Sequence, residues 1–153
     1  MDMSALHPNL AVSDARAAID FYTAAFGAEV DDVITVGDAI IHSDLRLPTA
    51  SGYSTFTVAQ EFPGAGSVAP DPEGPTPVSF TVPVPDTDAA YARAIAAGAT
   101  STAEPADWFA GFRQAAVRCP FGHRWYFTTV DDSVTAEDVQ RASDAWMSEQ
   151  PAG

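Results

Sequence analysis

Between residues 15 and 26 the apolar side chains fall at Ala15, Ala18, Ile19, Tyr22 and Phe26. That spacing draws one stripe down a helix. Ser13 or Asp14 supplies an N-cap, and Gly27 ends the run. A second stripe, Ala90, Tyr91, Ala94 and Ile95, predicts a helix over 86–97. Around these helices the pattern shortens to alternation bounded by turn formers, which predicts strands near 4–12, 28–36, 38–47 and 53–61, then 78–84, 99–103, 111–118 and 124–130. Pro8 places the first strand at an edge or at its own start, because proline cannot donate to a ladder. Gly37-Asp38, Pro48 through Gly52, and Pro120-Phe121-Gly122 read as turns. Each half of the chain thus reads βαβββ.

The two halves also share a sequence motif. Val12-Ser13-Asp14-Ala15-Arg16-Ala17-Ala18 and Val84-Pro85-Asp86-Thr87-Asp88-Ala89-Ala90 share V-x-D-x-x-A-A, and the helix that each opens ends in Gly-Ala, at Gly27-Ala28 and Gly98-Ala99. A long period present twice is no solenoid, which needs at least three stacked units. It predicts a duplicated module within one domain: module one over 4–61, a linker over 62–77 and module two over 78–130. The linker holds five of the twelve prolines and three glycines, a composition that resists helix and sheet. Thr135, with Asp138 three residues on, predicts a capped acidic helix to about 148, outside the repeat. The fold class is α+β.

Length and charge narrow the function classes. At 153 residues, 46% hydrophobic and 18% charged, the chain suits one globular domain. No apolar run approaches the roughly 20 residues of a membrane span, and Met1-Asp2-Met3-Ser4 lacks the regions of a signal peptide, so a cytoplasmic location is expected by default. With Cys119 the lone cysteine, no intrachain disulfide can form. Seven basic against twenty-one acidic residues give a net charge of −14, a field that repels nucleic acid and anionic membrane surfaces.

Several segments carry a family resemblance: Leu6-His7-Pro8-x-Leu10-x-Val12, Ala18-Ile19-Asp20-Phe21-Tyr22, Ala25-Phe26-Gly27-Ala28-Glu29, Ala96-Ala97-Gly98-Ala99 and Pro120-Phe121-Gly122-His123-Arg124-Trp125. Together they resemble the vicinal oxygen chelate superfamily of glyoxalases, bleomycin-resistance proteins and dioxygenases, and within it the branch named after PhnB. The resemblance covers roughly residues 5–132. It implies tandem βαβββ modules whose curled mixed sheets form a cleft, commonly completed in a homodimer. It leaves the activity open, because lyases, isomerases, dioxygenases and drug-sequestering proteins share that scaffold.

The resemblance also implies four positions for a metal in metal-dependent members. They correspond here to His7, a competent ligand; Ser79, a poor one; Glu61, at the far end of its strand; and the neighbourhood of Tyr126, where no carboxylate stands. A divalent site wants at least three protein ligands. No cofactor is therefore expected, with a divalent metal as the alternative and His7 and Glu61 as its weak candidates. His42-Ser43-Asp44 alternates so that both polar side chains face one side of a strand, a spacing that can hold a metal and more often meets solvent. His7 also suits a general base or a polar lining group. His123 reads as an anchor for the turn before it, and Cys119 as a nucleophile lacks an evident base.

The remaining candidates are aromatic. Trp108, Phe109 and Phe112 lie on or beside a loop, and Trp125, Tyr126 and Phe127 load the last strand, where alternation must send Tyr126 to the face opposite its neighbours. Arg113 stands where the family often shows Trp-Gly-Asp-Arg, which here reads Ala110-Gly111-Phe112-Arg113. The cleft is expected to draw on His7, Phe56, Trp108, Phe112, Arg113 and Tyr126. Aromatic walls with a few polar groups suit a small-molecule ligand. The reading is a small-molecule-binding protein in a homodimer. Its alternative is a metal-dependent lyase, isomerase or dioxygenase. A weaker third class is an adaptor acting through Trp146 and Met147 of the acidic helix.

Overall fold

The duplicated motif is a pair of helix caps. In the computed structural model, which describes residues 6–108 and 111–149, Asp14 accepts a hydrogen bond from the Ala17 amide and Asp86 from the Ala89 amide, each at 3.0 Å. These caps open α1 (Ala15–Phe26) and α2 (Thr87–Ala96). Gly27 closes α1 at a φ of 69°, a left-handed conformation that lets its own N–H and that of Ala28 reach back to Thr23 and Tyr22. Arg93 of α2 then donates to the Ala25 carbonyl at 2.8 Å, which sets a cation on the negative end of the α1 dipole.

Eight strands form two four-stranded mixed sheets. Sheet one orders β1 (Asn9–Val12), β4 (Gly52–Gln60), β3 (Ala39–Thr49) and β2 (Glu29–Val36); sheet two orders β5 (Ser79–Pro83), β8 (Arg124–Val130), β7 (Phe112–Arg118) and β6 (Thr100–Asp107). In each, the first strand pairs parallel with the last and the other pairings are antiparallel. The tandem βαβββ reading holds, and α3 (Ala136–Glu149) follows as the C-terminal helix. That helix buries none of its described side chains, and Trp146 and Met147 stand exposed on it.

Three strand limits differ from expectation, each for a physical reason. The first strand begins at Asn9, just after Pro8; residues 4 and 5 of the predicted strand lie outside the described residues. β3 runs through Pro48 to Thr49, because β2 pairs no further along it than Arg46 and proline forfeits no ladder bond at a free edge. β6 runs through Pro105 to Asp107 as the outer strand of sheet two, with register shifts on either side of Ala103.

One core joins the two modules. Val12, Leu45, Phe56 and Val58 of sheet one and Val82, Val117, Trp125 and Phe127 of sheet two are buried in a single cluster with both helices. Tyr22 and Phe26 of α1 reach across it, with ring centroids 5.5 and 5.0 Å from Trp125. The Tyr22 hydroxyl donates to Cys119 Sγ at 3.3 Å. Because both sheets turn their helix-bearing faces into this cluster, their other faces point away from it. The linker packs closely where it passes the Pro120–Gly122 turn: a Cβ on Gly122 would lie 2.9 Å from the Pro70 carbonyl oxygen.

Candidate functional site

Strand alternation decides what the outward faces carry. On β3 the core takes Ser43, Leu45 and Leu47, which leaves His42, Asp44 and Arg46 on the open face. On β4 the core takes Phe56 and Val58 and leaves Thr55 and Thr57. Register aligns Thr57 with Asn9 on one side and Asp44 on the other. His7, two residues before β1, thereby arrives beside Thr55.

The result is a connected polar network. His7 Nδ1 lies 3.0 Å from Thr55 Oγ1, and its Nε2 lies 3.0 Å from Thr57 Oγ1 and 3.5 Å from Asp44 Oδ1. Thr57 Oγ1 donates to Asp44 Oδ1 at 3.4 Å, and His42 Nε2 stands 3.2 Å from the same oxygen. One assignment of protons satisfies the hydrogen bonds: Thr55 donates to His7 Nδ1, His7 Nε2–H to Thr57, Thr57 to Asp44, and His42 Nε2–H to Asp44. The side chains of His7 and Asp44 are 9% and 13% exposed, that of His42 28%. They line a pocket of about 620 Å³ together with Asp31, Asp32, Ile34, Arg46, Tyr53 and Thr55. Arg46 closes one side, paired with Glu29 at 3.0 Å and Asp31 at 2.8 Å. Such an arrangement can orient a polar ligand group and pass a proton between an imidazole and a carboxylate.

The sequence-derived candidates go to several places. His7 joins the network just described. Phe56 faces the core, with its ring 5.2 Å from Tyr22, and also lines a second pocket of about 330 Å³ between β4 and β5 with Phe80 and Trp125. Trp108 is half exposed beyond β6, where its amide donates to the Phe112 carbonyl at 2.7 Å. Arg113 turns to the helix side, where it pairs with Asp88 of α2 and with Asp107. Tyr126 lies on the open face of sheet two with Arg124 over its ring, 5.0 Å from the centroid. Phe109 and Ala110 lie outside the described residues. His42 and Asp44 are the pair whose place the sequence left undecided. Their shared face was legible from spacing, but its identity with the face of His7 depends on long-range strand register.

The four positions of the family's metal do not fit a cation here. The Glu61 carboxylate accepts from the Ala69 amide at 2.9 Å, in the linker. Ser79 and Tyr126 share their face with Arg118 and Arg124, two fixed positive charges. Among the described residues, no group of three or more His, Cys, Asp or Glu is placed to hold a metal ion. Burial pushes the Cys119 thiol pKa up and so disfavours the thiolate that a nucleophile needs. Burial, with help from Arg118, also holds the His123 imidazole down to a pKa of about 4.

Comparison with known proteins agrees with this architecture. An uncharacterized protein of Mycobacterium bovis, Mb0911c, is 37% identical over 142 residues, covering 90% of this chain and 91% of its own. The crystal structure of TioX from Micromonospora sp. ML1 superposes with a TM-score of 0.62 at 29% identity, covering 86% of this chain and all of that one. The fosfomycin resistance protein FosX of Listeria monocytogenes shares the fold at a TM-score of 0.62 and 14% identity, with 92% of this chain and 98% of that one covered. Residues 4–127 match the family described as the Glyoxalase/Bleomycin resistance protein/Dioxygenase superfamily, and to that superfamily the chain belongs.

Proposed function

We propose that the protein binds a small organic molecule at the outward faces of its sheets, within a homodimer whose second copy covers what one chain leaves open. The observation that carries this reading is the His7–Thr57–Asp44–His42 network, built into the lining of a 620 Å³ pocket. A polar network of this kind costs ordering entropy and desolvation, and it is repaid when a ligand uses it.

The dimer reading rests on β2. It is an outer strand of sheet one, all eight of its residues are exposed, and Val30, Val33, Ile34 and Val36 are between 39% and 65% exposed. Soluble proteins cover or blunt such an edge. Repulsion between two chains of charge −14 is screened beyond roughly 8 Å at physiological salt, so apolar burial prevails. Light scattering at micromolar concentration in 0.15 M salt is expected to report twice the 16.1 kDa chain mass, and Ile34→Lys to return it toward the single chain. A wild-type monomer under those conditions overturns the dimer.

The reading assigns the chain to the PhnB-like branch and to the cytoplasm, on the motifs around His7 and Pro120 and on the lone buried cysteine. The competing reading, a metal-dependent lyase, isomerase or dioxygenase, is disfavoured by the arginines beside Ser79 and Tyr126. A thermal-shift screen of metabolites and drugs is expected to find a stabilising compound whose affinity falls about tenfold in His7→Ala and Asp44→Asn, the loss of roughly one charge-assisted hydrogen bond. One equivalent of nickel, zinc, iron or cobalt per chain, lost in His7→Ala, would sink the metal-free reading.

A further inference from the structure

Register sets Arg118 of β7 directly opposite Arg124 of β8, and Ser79 of β5 opposite Arg124 on its other side. One row across the open face of sheet two therefore reads Arg118, Arg124, Ser79, and the next reads Ala116, Tyr126, Thr81. Like charges directly opposite one another across a strand pair are destabilising. All seven basic residues of this chain are arginines, set against twenty-one acids. Arg46, Arg113 and Arg141 each pair with a carboxylate. Among the described residues, Arg118 and Arg124 form no ion pair with any carboxylate.

Their donors are also left unanswered. Arg118 Nε donates to the Gly122 carbonyl at 3.1 Å, but its Nη2 is buried without a hydrogen-bond partner, and so is Nε of Arg124. The ring of Tyr126 beneath Arg124 fixes that guanidinium in place. Leaving a buried donor unsatisfied costs about 1–3 kcal/mol, more when it belongs to a charged group. Two cations thus stand undersatisfied at paired positions of adjacent strands, in a chain with a threefold surplus of carboxylates. An oxyanion with two or more oxygens can accept from the N–H groups that these guanidinium groups leave unused.

We propose that the open face of sheet two, at Arg118 and Arg124, is the binding site for the oxyanion of a small organic acid, carboxylate or phosphonate. This deepens the small-molecule reading above and rests on it, by giving the ligand its chemical class. The field of a −14 chain opposes an anion at long range, but screening confines that opposition to about a Debye length, and the local pair of cations decides at contact. Ser79 stands in the same row with a hydroxyl to donate.

The test uses the full chain and three probes that share a ring: benzoate, phenylphosphonate and neutral benzamide, at matched ionic strength. At least one acid is expected to raise the melting temperature while benzamide does not, and which acid does so separates a carboxylate from a phosphonate site. Arg118→Gln and Arg124→Gln are each expected to weaken the effective acid roughly tenfold or more. Without ligand, both variants are expected to be as stable as the parent, because each removes one of two adjacent like charges. Equal shifts with benzamide, or shifts that survive in both variants, overturn the proposal. So does loss of the dimer in either variant, which would show that the arginines pair with carboxylates of the second copy. A neutral ligand that needs His7 and ignores both arginines overturns this inference and leaves the small-molecule reading standing.

Discussion

Replacing Trp125 with alanine is expected to destabilise the protein by about 3–5 kcal/mol, among the largest effects of any single truncation in this core. Trp125 is 3% exposed, and its ring packs on Tyr22 and Phe26 of α1, Phe56 of β4 and Phe80 of β5, with centroids 4.9–5.7 Å away. Three of those four partners belong to the other module. The truncation therefore removes contacts that hold the modules together as well as apolar area within one of them. For a domain of this size each kcal/mol moves the melting temperature by about 2–4 °C, so a fall of roughly 6–20 °C is expected. Urea denaturation monitored by far-UV circular dichroism gives the free energy directly. Tyr91→Ala, on the half-buried margin of the core, should cost clearly less. If Trp125→Ala costs under about 1 kcal/mol, the modules do not share a core.

Acid is expected to weaken the fold by about 3 kcal/mol between pH 6.5 and pH 4 through His123 alone. Its imidazole has a pKa of about 4 in the folded chain against 6.5 when free, chiefly because burial penalises the charged ring and secondarily because Arg118 repels it. In that window the unfolded chain binds a proton that the folded chain refuses, so stability falls as pH falls and levels off below the folded value. A tenfold difference in proton affinity between the folded and unfolded chains is worth about 1.4 kcal/mol, which sets the size. His123→Gln should flatten the stability profile across that range. The depressed carboxyls of Asp88, Asp131 and Asp138 act lower, where pH drops through and below the ordinary value of 3.8. An unchanged profile in His123→Gln would mean that the ring is solvated in the folded state.

How much of this was legible in the sequence depends on how far apart the interacting residues lie. Asp14, Asp86 and Gly27 act on neighbours three to five residues away, and the repeat motif made their role readable. Alternation likewise put His42 and Asp44 on one side of a strand and Tyr126 opposite Trp125 and Phe127. Alternation does not say which side faces the helices. That choice is made by pairing across tens of residues, such as Asn9 with Thr57 and Thr57 with Asp44. The partner of Arg113 was hidden for the same reason, since Asp88 lies 25 residues away on a helix. The arginine pair on sheet two was equally out of reach, because nothing local marks Arg118 as the neighbour of Arg124 across the Pro120–Gly122 turn until the strands on either side are paired.

The packing of α1 against the last strand sets a schedule for synthesis. Module one can close its own sheet once Gln60 has emerged, because β1 needs only β4 as its partner. Tyr22 and Phe26 must then wait for Trp125 and Phe127. At 5–20 residues per second the roughly 65 intervening residues take about 3–13 s to add, so a nascent chain carries a bare aromatic surface for seconds. Chaperone demand should therefore peak in the second half of translation, and a ribosome stalled near the linker should hold the most aggregation-prone form of this protein.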